Sequence, residues 1–167
     1  QAGAGENSIG ASKKLFRRVM GYLVYVPGTT ERWVVYGRIF LFLMFFVWGW
    51  QFIFMELRTN EIGSSFMHNI NLVFHEAGHV IFIPFGRFMT ILGGSLAQLL
   101  MPLIVLLVLL IKNRDIFGAS IGLWWFSQSL MDLAPYINDA RALQLMLLGG
   151  GTGMDRPGMH DWRNILL

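Results

Sequence analysis

The chain of 167 residues contains no cysteine, which excludes disulfides, thiolate metal sites and cysteine nucleophiles. Any metal must therefore be held by His, Asp or Glu. Charge is also scarce, with Asp, Glu, Lys and Arg making up 14% of residues. The formal net charge of +3 is modest, and no nucleic-acid partner is expected. No internal repeat, low-complexity tract or cleavable signal peptide is evident. The glycine run Gly149-Gly150-Gly151-Thr152-Gly153 is followed by no Gly-Lys-Ser/Thr and preceded by no strand, so it reads as a flexible connector rather than a phosphate loop.

Apolar residues are abundant: 54% of the chain is hydrophobic and the mean hydropathy is +0.53, above the usual share for a soluble domain. The sequence predicts an all-α integral membrane protein of about four transmembrane helices, preceded by an amphipathic interfacial helix. At about 20 residues per crossing, the spans fall near 34–56, 66–85, 91–111 and 117–137. Close helix packing would come from small residues, and there are 19 glycines. Three regions follow: 1–30, a flexible tail to residue 12 and then the interfacial helix; 31–141, the transmembrane domain; and 142–167, a cytoplasmic or re-entrant segment.

Between Ser12 and Tyr25 the pairs Leu15/Phe16, Val19/Met20 and Leu23/Val24 recur every four residues, with Lys13 and Lys14 before the first pair and Arg17 and Arg18 before the second. That pattern suits a helix lying on an anionic membrane surface, ended by Pro27-Gly28. With four crossings, the positive-inside rule places both termini in the cytoplasm, together with Arg87, Arg141, Arg156 and Arg163. The expected location is the cell membrane, multi-pass.

Within the second span stands His75-Glu76-Ala77-Gly78-His79, an HExxH motif. Histidines at i and i+4 project from one helix face roughly 5–6 Å apart, which suits two imidazoles converging on one zinc ion. Glu76 then lies beside the metal as a general base. An ionisable group at mid-bilayer costs on the order of 2.5–3.5 kcal/mol, so a cluster of them there marks function.

A catalytic zinc site needs a third protein ligand and leaves a fourth position open. In a four-span topology that ligand comes from the inner end of the fourth span, where Asp139 follows Pro135. Asp132, two turns earlier, is an alternative as ligand or as acceptor for a histidine N–H. His160 and Asp161, after the glycine run, are alternatives that would fold back. His68 reads as a packing histidine. Gln98 would either bond a substrate backbone or tie two helices together.

The motif His75-Glu76-Ala77-Gly78-His79, the element Gly94-Ser95-Leu96-Ala97-Gln98 and the stretch Leu133-Ala134-Pro135-Tyr136-Ile137-Asn138-Asp139-Ala140-Arg141 together resemble the site-2 protease family of intramembrane zinc metalloproteases. Ser95 stands where that family has Pro, Gln98 where it has Asn, and Ala140 where it has Gly. The resemblance covers roughly residues 66–141. It implies an aspartate ligand at Asp139, one zinc ion, and hydrolysis of peptide bonds in membrane-embedded or membrane-proximal segments of a membrane protein substrate. The alternative is a noncatalytic metal-binding membrane subunit or assembly factor working through partner transmembrane helices in the lipid bilayer.

Overall fold

A computed structural model of the chain describes residues 3–23 and 30–167, with backbone alone for 3–9, 11, 22 and 23. The described residues are helical apart from connections, with one isolated antiparallel bridge between Met146 and Thr152. The helices are α1 (Gly3–Leu23), α2 (Arg32–Phe54), α3 (Phe66–Ile81), α4 (Arg87–Leu107), α5 (Ile116–Asn138) and α6 (Asp161–Leu166). Helix α1 takes in most of the expected tail. The expected stop at Pro27-Gly28 lies outside the described residues.

Among the described residues, two helical stretches are long and apolar enough to cross a membrane: α2, and α4 with its π-helical extension to Lys112, whose mean hydropathy is 2.5. Helix α3 is shorter than its expected span. Its 16 residues are about 24 Å long, and the chain then tightens into a 3-10 turn over Ile83–Phe85 containing Pro84. Gly86, at φ 90°, reverses the chain into α4. At its other end α3 is capped by Ser65, whose hydroxyl accepts the His68 backbone N–H at 3.1 Å.

Helices α3 and α4 form a tight antiparallel pair. A Cβ on Gly78 would collide with the Gly93 carbonyl, and one on Gly122 of α5 would stand 2.9 Å from the Leu106 backbone of α4. Glycine at these points lets the backbones approach closely. Helix α2 attaches to α5 through Trp124, whose ring meets Phe45, Trp48 and Phe52 at 4.9–5.9 Å between centroids. Phe52, Ile62 and Met67 form the buried apolar cluster beside it.

Arg38, near the start of α2, pairs with Asp115 at the start of α5 at 3.4 Å and lies over the Phe117 ring. Later residues of α2 meet later residues of α5, so the two helices run in the same direction. This corrects the expected topology. Four alternating crossings would put the start of α2 and the α4–α5 connection on opposite sides, whereas the ion pair places them at one end. The start of α2 and the end of α5 therefore lie at opposite ends, and the short α3 does not add a full traverse.

The packing is polar inside and apolar outside. Among the described residues, nine buried polar or charged residues stand beside seven buried hydrophobic ones and two buried prolines. Large side chains such as Phe40, Phe42, Phe46, Val47 and Ile53 of α2 are exposed.

Candidate metal centre

The HExxH motif is helical, as its spacing requires, and its two imidazoles lie with ring centroids 5.0 Å apart. The Asp161 carboxylate meets them: Oδ2 is 3.1 Å from His75 Nε2 and 3.3 Å from His79 Nε2. Ligand atoms on a tetrahedral ion at about 2.0–2.1 Å are separated by about 3.3 Å, so these distances match the edges of such a site. The three ligand atoms all lie within 4.8 Å of one another. The donor set of two imidazoles and one carboxylate suits zinc and leaves a coordination position for water or substrate.

Each imidazole is oriented by its other nitrogen. His79 Nδ1 donates to the Thr90 carbonyl at 2.8 Å, and His75 Nδ1 donates to Gln98 Oε1 at 3.0 Å. Both Nε2 lone pairs are then directed at the common point. Gln98 in turn donates from Nε2 to Asp132 Oδ2 at 2.9 Å. Asp132 also receives Asn71 Nδ2 at 3.0 Å and His68 Nδ1 at 2.9 Å. Asn71 uses its second amide hydrogen on Gln128 and accepts from Trp125 and Ser129, so all its polar valences are filled. Gly94 leaves the space this geometry needs: a Cβ there would lie 2.6 Å from Nε2 of both histidines.

Asp161 is brought in from the far C-terminal segment. Gly149, Gly150 and Gly151 all have positive φ and turn the chain back. Tyr136 of α5 clasps the arrival point, its hydroxyl donating to Asp161 Oδ2 at 3.2 Å and accepting the Asp161 backbone N–H at 3.1 Å. Trp162 anchors α6 on α4 by donating to Ser95 Oγ at 3.1 Å. Burial opposes ionisation of Asp161, but its neighbours His75 and His79 more than offset it and lower the carboxyl to about 2.

The structure brings Asp161, rather than Asp139, to the two histidines. Helix α5 continues through Pro135 to Asn138, and Asp139 faces the following turn. Its carboxylate accepts the backbone N–H groups of Gln144 at 2.8 Å and Leu145 at 3.0 Å. It also lies 3.4 Å from His160 Nε2. His160 is no fourth ligand: its Nδ1 accepts the Arg163 N–H and caps α6, and burial pushes its pKa below the ordinary value despite Asp139. Asp132 stands behind Gln98, away from the triad. Gln98 spends both ends of its amide on His75 and Asp132, joining α3, α4 and α5. Glu76 lines the same cavity as the triad and has no hydrogen-bond or ion-pair partner among the described residues. That cavity, about 890 Å³, also has His68, Arg87, Leu145, Met146 and Arg156 in its walls.

Thr90, Tyr136 and Asn71 are supporting positions around the triad that the sequence alone did not single out. Asn71 had a local signal, since it lies one turn before His75 on the helix face that also carries His68 and His79. The Thr90 carbonyl had none, because a backbone group leaves no trace in residue type.

Asp132→Asn keeps the volume but removes the negative acceptor behind Gln98. We expect metal affinity to fall roughly 10–100-fold, as for other outer partners of ligating histidines. Competition against a chelator of known affinity measures this, and unchanged affinity would show the connection to be inert.

Comparison with family models, with curated proteins and with solved structures finds no match for this chain.

Proposed function

We propose that the chain is a membrane-embedded, metal-dependent peptidase of the site-2 protease type, with one zinc ion held by His75, His79 and Asp161. The observation that carries this reading is the convergence of two Nε2 atoms and one carboxylate oxygen whose separations suit a tetrahedral ion. The polar interior and apolar exterior support membrane embedding, since lipid replaces water around the outer side chains. On this reading α2, α4 and α5 cross the bilayer. Helix α3, at about 24 Å, penetrates only part of a hydrocarbon layer about 30 Å thick.

A bound zinc ion supplies Lewis acidity, acidifying water and polarising a carbonyl. With Gln98 and Thr90 accepting their Nδ1 hydrogens, His75 and His79 would present Nε2 to the ion. Glu76, unpaired and facing the cavity, takes a proton from the attacking water. It then returns a proton to the leaving amine nitrogen as the peptide bond breaks. The cavity lies toward the upper end of the roughly 300–1,000 Å³ typical of ligand sites, giving room for a short unwound segment. Its walls mix apolar groups such as Leu72, Leu133 and Met159 with the polar triad.

A noncatalytic metal subunit would be expected to close its site with a fourth protein ligand, and His160 is turned to Asp139 instead. The direct test is cleavage of a panel of transmembrane peptides containing helix-breaking residues by the zinc-loaded protein in nanodiscs. We expect cleavage that a chelator stops and added zinc restores. A fully loaded protein that cleaves none of the panel favours the noncatalytic reading.

A further inference from the structure

We infer that α1 docks on an anionic lipid leaflet at the end of the molecule opposite the metal cavity, so that the cavity opens toward the non-cytoplasmic side. The inference rests on the membrane-embedding part of the reading above and is independent of the chemistry at the metal.

Helix α1 has two opposed faces. Leu15, Phe16, Val19 and Met20 share one, and all four are exposed, Leu15 and Phe16 most fully at 64% each. Lys13, Lys14, Arg17 and Arg18 occupy the other, around a shallow concavity that reaches Gly10. Nothing lies within 4 Å of a Cβ built at Gly10 or Gly21, so this side is open as well. An uncovered apolar stripe beneath a row of cations fits a helix lying in the headgroup region of a negatively charged bilayer. A protein partner would have to match both faces at once; an anionic leaflet matches them by its layered chemistry.

Helix α1 touches the π-helical stretch Val108–Lys112. That stretch leads into Asp115, the partner of Arg38, so α1, the start of α2 and the α4–α5 connection share one end. Eight of the 13 Lys and Arg residues belong to this end by topology: Lys13, Lys14, Arg17, Arg18, Arg32, Arg38, Lys112 and Arg114. The acids here are Glu6, Glu31 and Asp115, while the other seven of the 10 belong to the remainder of the chain, which carries the cavity. The positive-inside rule then assigns the α1 end to the cytoplasm. The metal triad stands toward the other end, among the end of α3, the start of α4 and the end of α5. A substrate segment would enter from the non-cytoplasmic half of the bilayer.

Because the chain has no cysteine, one introduced cysteine gives one label. The full chain carrying Phe16→Cys or Gly21→Cys is labelled with an environment-sensitive fluorophore and placed in nanodiscs with or without phosphatidylglycerol. The Phe16 label is expected to shift to the blue and resist iodide quenching only with the anionic lipid, whereas the Gly21 label stays quenchable. Each basic residue near such a surface is worth roughly a five-fold bias, so changing Lys13, Lys14, Arg17 and Arg18 together to Gln weakens docking on the order of 100-fold or more. In cells, Met159→Cys in the cavity wall should react with an impermeant maleimide added outside, and Gly21→Cys should not. Identical Phe16 emission in both disc types, an unaffected Gln variant, or reversed labelling would overturn the inference. Failure to enter nanodiscs would overturn it together with membrane embedding; docking by a chain that binds no metal would leave it standing and remove the peptidase reading alone.

Discussion

Glu76→Gln is expected to lower peptide hydrolysis by about 10²–10⁴-fold while the zinc content stays at that of the wild type. The amide retains the size and hydrogen-bonding atoms of the carboxylate but cannot accept a proton from water at neutral pH. Glu76 faces the cavity with no protein partner among the described residues, so its replacement disturbs no visible packing or ion pair. Initial rates on the most readily cleaved peptide, alongside elemental analysis of the same sample, separate chemistry from metal binding. Equal rates in the two proteins would remove Glu76 from the mechanism. A simultaneous loss of zinc would show that Glu76 supports the site rather than acting at it.

Asp161→Ala is expected to weaken zinc binding well beyond the roughly 10–100-fold cost of losing an outer partner, because it removes one of three protein ligands. Asp139→Ala should behave differently. It leaves the Gln144 and Leu145 N–H groups without their acceptor, and buried His160 without its neighbour. Both N–H groups are only part-buried, so each lost bond costs about 0.5–1.5 kcal/mol, and a loss of about 1–3 kcal/mol in stability is expected, with a smaller effect on metal affinity. Chelator competition and thermal unfolding of both variants read the two quantities. Zinc lost from the Asp139 variant and kept in the Asp161 variant would assign the ligand to α5.

The contrast between these aspartates shows what was legible in the sequence. The HExxH pair depends on one turn of helix, and local spacing determines which face its side chains share. Apolar run lengths located α2, α4 and α5 to within a few residues. The run containing α3 was harder to read, because Phe82, Ile83 and Phe85 extend its apolar character through the Pro84 turn where the helix has already ended. Counting that run as a full crossing put the start of α2 and the α4–α5 connection at opposite ends, whereas the structure brings them together. The Arg38–Asp115 pair, 77 residues apart, supplies the missing constraint, and no periodicity encodes it.

Asp161 was a competing choice for a similar reason. Pro135 suggested a helix break aimed at Asp139, but a buried proline is accommodated within α5, and the helix continues past it. The return of residues 149–161 depends on three successive left-handed glycines and on the Tyr136 clasp. Glycine content signals that a turn is possible without saying where the chain goes next. Gln98 was visible as a polar residue on an apolar helix, but its two roles became distinct only when His75 and Asp132 appeared on either side of its amide.

The most direct measurement is elemental analysis of the purified wild-type protein beside His75→Ala, with both confirmed as folded by circular dichroism. One zinc ion per wild-type chain and none retained by the variant is the result predicted by the convergence of His75, His79 and Asp161. A folded wild-type protein that binds no zinc or other divalent metal at micromolar concentrations would contradict it.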